Sequence, residues 1–129
     1  MARILIVDDD AEIRYMMRII VERAGHEVGE ADNGASALQA MHVQLPDLVI
    51  TDVVMPVMNG QQLVARLRAN ESTREIPIVA VSAHKDLHTD ADAWLDKPFL
   101  PDRLVKTVEK LLPRHADSPE GTLDAFYPQ

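Results

Sequence analysis

Acidic side chains in this sequence come directly after apolar runs that are typical of buried strands. The three carboxylates of Asp8–Asp10 follow the run 3–7, and Asp52 ends the run 48–52. The second run has β-branched residues and no charge before Asp52, which is the pattern of a strand covered on both faces. A proline and an Asn-Gly pair soon afterwards predict a loop. The sequence therefore predicts that carboxylates are presented where strands end.

Helical segments separate these strands, because apolar residues recur there every three or four positions. The predicted helices span residues 11–24, 35–44, 61–69 and 102–112. Three more apolar runs predict further strands at 27–31, 76–82 and 93–95. This alternation predicts an α/β fold, a doubly wound five-stranded parallel sheet with helices on both faces.

Polar side chains lie at the ends of four of the five predicted strands. They are Asp8 with Asp9, Asp52, Ser82 and Lys97. Because the carboxyl ends of parallel strands meet at one edge of a sheet, we expect these side chains to lie close together. Three carboxylates at one edge repel one another, so one would take up a proton unless a cation neutralised them. An all-oxygen ligand set favours a hard ion, and partial ligation completed by water suits Mg²⁺ better than Ca²⁺.

The same set of residues suggests one kind of chemistry. A carboxylate nucleophile, a Mg²⁺ ion, a lysine and a hydroxyl together make a site that accepts a phosphoryl group. Lys97 would contact the oxygens of the incoming anion, and Ser82 would form a hydrogen bond to it. The alternative is a set of helix caps with one ion pair at the sheet edge and no chemistry.

The motifs around these residues resemble the receiver domain of two-component response regulators. They are Ile6-Val7-Asp8-Asp9-Asp10, Asp52-x-x-Met55-Pro56-x-Met58-x-Gly60, Val81-Ser82-Ala83 and Lys97-Pro98-Phe99. The resemblance covers Arg3 to about Leu112 and implies the flavodoxin-like strand order 2-1-3-4-5. We expect a receiver domain over residues 1–113 and a flexible C-terminal tail over 114–129, where the apolar pattern ends.

The resemblance assigns the phosphoacceptor and the metal ligands. Asp52 would take a phosphoryl group from a sensor histidine kinase or a phosphotransfer protein. The Mg²⁺ ligands would be Asp9, Asp52, the backbone carbonyl of Val54 and, through water, Asp8. Asp10 lies beyond the matching pair, and we interpret it as a helix cap.

The resemblance also assigns residues that respond to the phosphoryl group. Lys97 would contact the phosphoryl oxygens, with the Lys97–Pro98 peptide in the cis form, and Ser82 would be the switch hydroxyl. Trp94 stands where the family usually has an aromatic residue that moves on activation. Its other interpretation is a half-buried packing residue on an edge strand.

The implied function is a stand-alone receiver that switches conformation to control an unknown partner protein. Such a chain is not an enzyme beyond its self-catalysed phosphoryl transfer and slow autodephosphorylation. One alternative is a small aspartate-nucleophile phosphohydrolase, since Asp8-x-Asp10 superficially fits that pattern. Such enzymes normally need a cap and further acidic residues, which this sequence lacks. Another alternative is a binding module on the same fold that works without phosphorylation.

One interval departs from the family. The stretch from Ser82 to Lys97 is about two helical turns shorter than usual, each turn taking ~3.6 residues. We therefore expect a fourth helix that is short or absent, with a mobile loop or a single turn over residues 83–92. Apolar surface beside it would be partly uncovered, and a partner or a second copy in a homodimer would cover it.

The composition limits the classes of partner. The 129 residues correspond to one domain, and a hydrophobic fraction of 47% excludes a wholly disordered chain. A formal net charge of −8 argues against nucleic acid and against an anionic membrane as partners. The sequence has no cysteine and no apolar run long enough to span a membrane. We expect a cytoplasmic protein.

Overall fold

The computed structural model describes residues 1–55, 57–83 and 90–112. These residues form five strands and four helices that alternate along most of the chain. In chain order they are β1 (Arg3–Val7), α1 (Ala11–Arg23), β2 (Glu27–Ala31), α2 (Gly34–Val43), β3 (Leu48–Asp52), α3 (Gly60–Ala69), β4 (Ile78–Ser82), β5 (Ala93–Asp96) and α4 (Pro101–Leu111). No helix in this described part of the chain is long and apolar enough to cross a membrane.

All five strands pair in parallel in one sheet, and their order is β2-β1-β3-β4-β5. This confirms the predicted doubly wound fold and the flavodoxin-like order. The register places Asp52 of β3 opposite Val81 of β4, and Ser82 opposite Asp96 of β5. The carboxyl ends of the three strands β3, β4 and β5 therefore meet at one edge of the sheet.

The core has two layers, one on each face of the sheet. Under α1 and α4, the buried residues include Ile4, Ile6, Met17, Ile50, Val79, Leu104 and Val108. Under α2 and α3, they include Leu5, Val7, Met41, Val49, Leu63, Leu67 and Ile78. Strands β3 and β4 are buried at every position, as expected for strands covered on both faces. The sheet edge that carries the polar residues thus rests on a rigid centre.

Helix starts are set by polar caps. Helices α2 and α3 each begin one residue earlier than predicted, because the Asn33 and Asn59 side chains accept hydrogen bonds from N–H groups in the first turn. Strand β4 begins at Ile78 rather than at residue 76. The Ile76 N–H donates to the Thr73 carbonyl at 3.0 Å, so Ile76 belongs to the preceding turn.

The connection from β4 to β5 has ten residues, 83–92. Its described residues, 83 and 90–92, lie outside any helix. The predicted loop or single turn falls mainly on residues 84–89, which lie outside the described residues, and so does the predicted tail over 114–129. Trp94 on β5 is 38% exposed, so this edge strand does carry partly uncovered apolar surface.

Arg68 at the end of α3 fixes the far end of this connection. Its guanidinium donates to the Asp90 carbonyl at 3.0 Å and to the Asp92 carboxylate at 2.7 Å. It also donates to the Arg74 and Ile76 carbonyls, at 2.9 and 2.8 Å. One side chain of α3 therefore ties the turn before β4 to the residues that lead into β5.

Candidate functional site

The turn after β1 is held by hydrogen bonds. Asp8 is fully buried, and its Oδ1 accepts the Asp10 N–H at 2.9 Å. The Asp8 N–H donates to the Ala31 carbonyl at 3.1 Å. The Asp10 side chain accepts from the N–H groups of Glu12 and Ile13 at 2.9 and 3.2 Å. This confirms the interpretation of Asp10 as a helix cap and separates it from the two preceding carboxylates.

Asp52 ends β3 and is 7% exposed. Its Oδ1 accepts the N–H of Val53 at 2.9 Å. The chain then returns over this residue, since the Gly60 N–H donates to the Val53 carbonyl at 2.8 Å. A Cβ atom at position 60 would lie 2.2 Å from the Asp52 carbonyl oxygen, so only glycine fits there without displacing the backbone. The Asp-to-Gly spacing of the sequence motif therefore has a steric cause.

The loop between β3 and α3 is packed tightly in a second place. The Gly34 N–H donates to the Met58 carbonyl at 2.9 Å, and a Cβ at Gly34 would lie 2.6 Å from Met58 Cγ. Val57 adopts a φ of +66°, in the left-handed region that β-branched residues avoid. Val54, whose carbonyl is a predicted ligand, lies in the same loop and is 53% exposed.

Lys97 follows β5 and points back across the sheet edge. Its Nζ lies 3.1 Å from Asp8 Oδ2 and 3.3 Å from Asp52 Oδ1. Its N–H donates to the Ser82 carbonyl at 3.0 Å. The Lys97–Pro98 peptide is cis, which confirms the prediction. The contact with Asp52 is as predicted, and Asp8 is a second partner.

Burial and neighbouring charges perturb the ionisation of this group. Burial, and then the charge of Asp8, raise the pKa of the Asp52 carboxyl, while Lys97 opposes this. Burial works to lower the pKa of the Lys97 ammonium, but the Asp8 and Asp52 carboxylates outweigh it and raise that pKa. One ammonium therefore stabilises carboxylates that would otherwise be driven towards protonation.

The residues present fit a hard divalent cation. One carboxylate oxygen from each of Asp8, Asp9 and Asp52 lies within 4.8 Å of the others. Three carboxylates face a single lysine, so charge remains to be neutralised, and the donor set is all oxygen, as Mg²⁺ prefers. Asp9 is exposed whereas Asp8 is buried, so the two adjacent carboxylates differ in access to solvent.

The two predicted switch residues lie beside this group on neighbouring strands. Ser82 ends β4, is 3% exposed, and comes one residue after Val81, which lies opposite Asp52. Trp94 lies opposite Ala80 in the edge strand β5. The structure therefore brings Asp8, Asp9, Asp52 and Lys97 into one cluster. It places Ser82 at its margin and Trp94 further along the edge strand.

Sequence reasoning missed a basic residue that contacts the site. Arg14 of α1 donates from Nη1 to the Asp8 carbonyl at 2.6 Å and from Nε to the Glu30 carboxylate at 2.8 Å. Hydrogen bonds from Arg18 and Arg14 lower the pKa of Glu30. The signal that could have found this contact is Glu30 itself. A charge inside a strand predicted beside β1 needs a cationic partner.

Known proteins share both this sequence pattern and this fold. A family model described as response regulator receiver domain matches residues 4–109. The chain is 37% identical to Protein PilH of Pseudomonas aeruginosa over 120 residues, covering 87% of this chain and 98% of PilH. It is also 37% identical to the DNA-binding response regulator MtrA of Mycobacterium tuberculosis, but there it spans only 55% of that protein's length.

Among solved structures, the chain is similar to the response regulator protein TrrA from Thermotoga maritima, crystallised in complex with Mg²⁺-BeF. The TM-score is 0.79 at 32% sequence identity, with 87% of this chain and all of that chain covered (100%). Both the sequence and the backbone thus match the same group of proteins.

Proposed function

This chain belongs to the response regulator receiver family of two-component signalling, and on that premise we propose that Asp52 accepts a phosphoryl group in a Mg²⁺-dependent reaction. The observation that carries the proposal is the position of the Asp52 carboxylate, 3.3 Å from Lys97 Nζ and beside Asp8 and Asp9. The donor is a phosphohistidine of a sensor histidine kinase or of a phosphotransfer protein.

The two oxygens of the Asp52 carboxylate have different surroundings. Oδ1 accepts the N–H of Val53 and lies next to Lys97. In our proposal the other oxygen, Oδ2, is the nucleophile. It attacks phosphorus, the new O–P bond forms as the P–N bond to the imidazole breaks, and the electron pair of that bond stays with the imidazole. Lys97, already in the pocket, stabilises the charge on the phosphoryl oxygens.

Four groups would hold the Mg²⁺ ion. These are the side chains of Asp9 and Asp52, the backbone carbonyl of Val54 and, through water, Asp8. Bound there, the ion would neutralise the negative charge that builds up between the carboxylates and the phosphoryl oxygens. The solvent exposure of Asp9 and the full burial of Asp8 support this division between a direct and an indirect ligand.

The output of the reaction is a change of conformation rather than a product. Receiver domains are regulatory switches, and we propose that the Ser82 hydroxyl binds a phosphoryl oxygen and passes the change along β4 and β5 to Trp94. A downstream protein, or a second copy of the chain, then responds at the surface beside the short connection 83–92. Slow autodephosphorylation resets the switch.

The phosphohydrolase alternative would need Asp8 as its nucleophile, and the geometry disfavours that role. Asp8 Oδ1 accepts the Asp10 N–H and Oδ2 is bound by Lys97 at 3.1 Å. Both oxygens of this fully buried carboxylate are therefore engaged. The Asp52 carboxylate is therefore better placed than that of Asp8 to act as the nucleophile.

Intact-mass measurement after incubation with acetyl phosphate and Mg²⁺ tests the proposal. We expect the mass of one phosphoryl group to be added to the wild-type chain and to the matched control Asp10→Asn, which keeps the helix cap. Asp52→Asn, or an excess of chelator, should abolish the addition. A mass gain that survives in Asp52→Asn would contradict the assignment. Mg²⁺ binding without any mass gain would favour a binding module that works without phosphorylation.

A further inference from the structure

Arg14 joins the site to the edge strand β2, which lies next to β1. Its Nη1 donates to the backbone carbonyl of Asp8 at 2.6 Å, while its Nε donates to Glu30 Oε1 at 2.8 Å. A guanidinium is a rigid planar fork, so an N–H fixed on one acceptor determines where the other N–H groups point. Arg14 is therefore held between the edge strand β2 and the peptide that links Asp8 to Asp9.

The orientation of that peptide determines where Asp9 lies. A peptide unit is planar, so the carbonyl of Asp8 and the Cα of Asp9 move as one rigid piece. The Asp9 carboxylate is exposed, and no N–H or side chain among residues 1–55, 57–83 and 90–112 donates a hydrogen bond to it. Its position thus depends on the backbone, and the backbone there is held by Arg14.

We propose that Arg14, oriented by Glu30, is a positioning residue that sets the Asp9 carboxylate for a divalent cation. The inference rests on the proposed function, since it concerns the metal ligands of the same site. Residues that hold a metal ligand in place typically change metal affinity by about 10–100-fold when they are replaced. Arg14 contacts none of the reacting atoms, so its effect is exerted through Asp9.

Arg18 offers a matched control on the same helix. It also donates a hydrogen bond to the Glu30 carboxylate, and its Nε donates to Glu22 at 3.0 Å. It forms no hydrogen bond to the Asp8 carbonyl in the described part of the chain. Arg18→Gln therefore removes the same charge and one bond to Glu30, but leaves the peptide before Asp9 untouched.

The test is a Mg²⁺ titration of the full chain, in which binding is monitored through the NMR signals of the backbone amides. We expect the dissociation constant for Mg²⁺ to rise about tenfold in Arg14→Gln and less than about twofold in Arg18→Gln. Circular dichroism establishes that both variants are folded. An unchanged affinity in Arg14→Gln, or an equal loss in the two variants, would overturn the proposal.

Glu30→Gln is a second, milder variant that decides the question if Arg14→Gln does not fold. It keeps Arg14 but removes the charge that orients it, so we expect Mg²⁺ to bind about two- to fivefold more weakly, less than after loss of Arg14 itself. An affinity equal to that of the wild type would count against the role of Glu30 and of the pair.

Phosphorylation kinetics distinguish a positioning role from a role in the transfer. In Arg14→Gln the Mg²⁺ concentration for half-maximal rate should rise, while the rate at saturating Mg²⁺ should equal that of the wild type. A rate that stays low at saturating Mg²⁺ would overturn the positioning role. If wild-type Asp52 gains no phosphoryl group, the proposed function fails, yet the Mg²⁺ titration still reports on Arg14.

Discussion

Two loops deliver carboxylates to the same edge of the sheet, but they are held in different ways. The turn after β1 is fixed by hydrogen bonds to Asp8 and Asp10 and by the contact of Arg14 with the Asp8 carbonyl. The loop after β3 is fixed by close packing, at Gly60 against the Asp52 carbonyl and at Gly34 against Met58.

The difference indicates which changes each loop tolerates. A hydrogen-bonded turn accepts a change of side-chain volume but not the loss of a donor or an acceptor. A close-packed loop accepts the loss of polar groups but not an added methyl group. The turn after β1 should therefore be sensitive to polar-to-apolar changes, and the loop after β3 to glycine-to-alanine changes. The following variants test that contrast.

The largest effect should come from Gly60→Ala. The new Cβ would lie 2.2 Å from a backbone oxygen that cannot move away cheaply. We expect a loss of about 3 kcal/mol in the free energy of unfolding, the upper end of the usual cost of overpacking. Gly25→Ala is the control. Gly25 has a φ of +99° and no atom within 4 Å of the added Cβ, so it reports the conformational cost alone.

That control should cost about 1 kcal/mol, the penalty for a left-handed residue other than glycine. Urea denaturation of both variants gives the comparison. Equal losses for Gly60→Ala and Gly25→Ala would mean that close packing over Asp52 does not hold the loop.

Asp9→Ala and Asp10→Ala, both in the turn after β1, should change different properties: the first should change Mg²⁺ affinity, and the second should change stability. Removing the proposed direct ligand Asp9 should weaken Mg²⁺ binding by at least about tenfold, while the stability of this exposed position changes by less than about 0.5 kcal/mol. Removing the Asp10 cap should cost about 1 kcal/mol of stability and leave Mg²⁺ affinity nearly unchanged. If both variants lost Mg²⁺ equally, the assignment of the pair would be wrong.

Without Mg²⁺, Asp52→Asn should raise the melting temperature at pH 7. Burial and Asp8 raise the pKa of Asp52 in the folded chain, so the ionised form lowers stability at every pH above that pKa. As the pH falls through this value the wild type takes up a proton, and the advantage of Asp52→Asn should fade. Saturating Mg²⁺ should also reduce it, because the ion stabilises the wild type by about 2.7 kcal/mol at a hundred times its dissociation constant.

Calorimetry with and without Mg²⁺ gives the melting temperatures of the two proteins. The curves are recorded between about pH 3 and pH 7, which covers the range over which carboxyls titrate. A melting temperature of Asp52→Asn that is lower than that of the wild type at pH 7 would contradict the charge argument.

The smallest effect should come from Val57→Gly. Its φ of +66° is strained for valine, and glycine relieves that strain. Glycine also has more conformational freedom in the unfolded chain, which offsets part of the gain in stability. We expect a net gain of about 0.5–1 kcal/mol. The control Val54→Gly lies in the same loop without a positive φ and should lower the stability. Loss of stability in both variants would show that Val57 is not strained.

The carboxylate site was predictable from the sequence because parallel strands end at one edge of a sheet. Asp8 and Asp9 follow β1, Asp52 ends β3, and Lys97 follows the last strand. The supporting contacts were not predictable in the same way. The strand order places β2 beside β1, but which arginine of α1 reaches both Glu30 and the Asp8 carbonyl depends on how the helix packs on the sheet.

Contacts between residues distant in the sequence account for the other omissions. The sequence around His26 carries no pattern that assigns this residue a role. In the structure it accepts the Ala2 N–H at 3.2 Å and lies 3.0 Å from the Glu109 carboxylate of α4. Neither partner is near it in the chain, so no local pattern could indicate the bond. The left-handed conformation of Val57 likewise goes against the preference of a β-branched residue, so no local pattern could indicate it.

Trp94 gives the chain an optical property in addition to its proposed role in switching. It is the only tryptophan of the sequence, so all indole fluorescence comes from the edge strand β5. With 38% of its surface exposed, it should be accessible to a quencher such as iodide, yet partly shielded by its neighbours. It lies two residues before Asp96, the residue paired with Ser82. Light emitted by the unlabelled protein therefore reports on the strand next to Ser82, without a dye and without a background from other indoles.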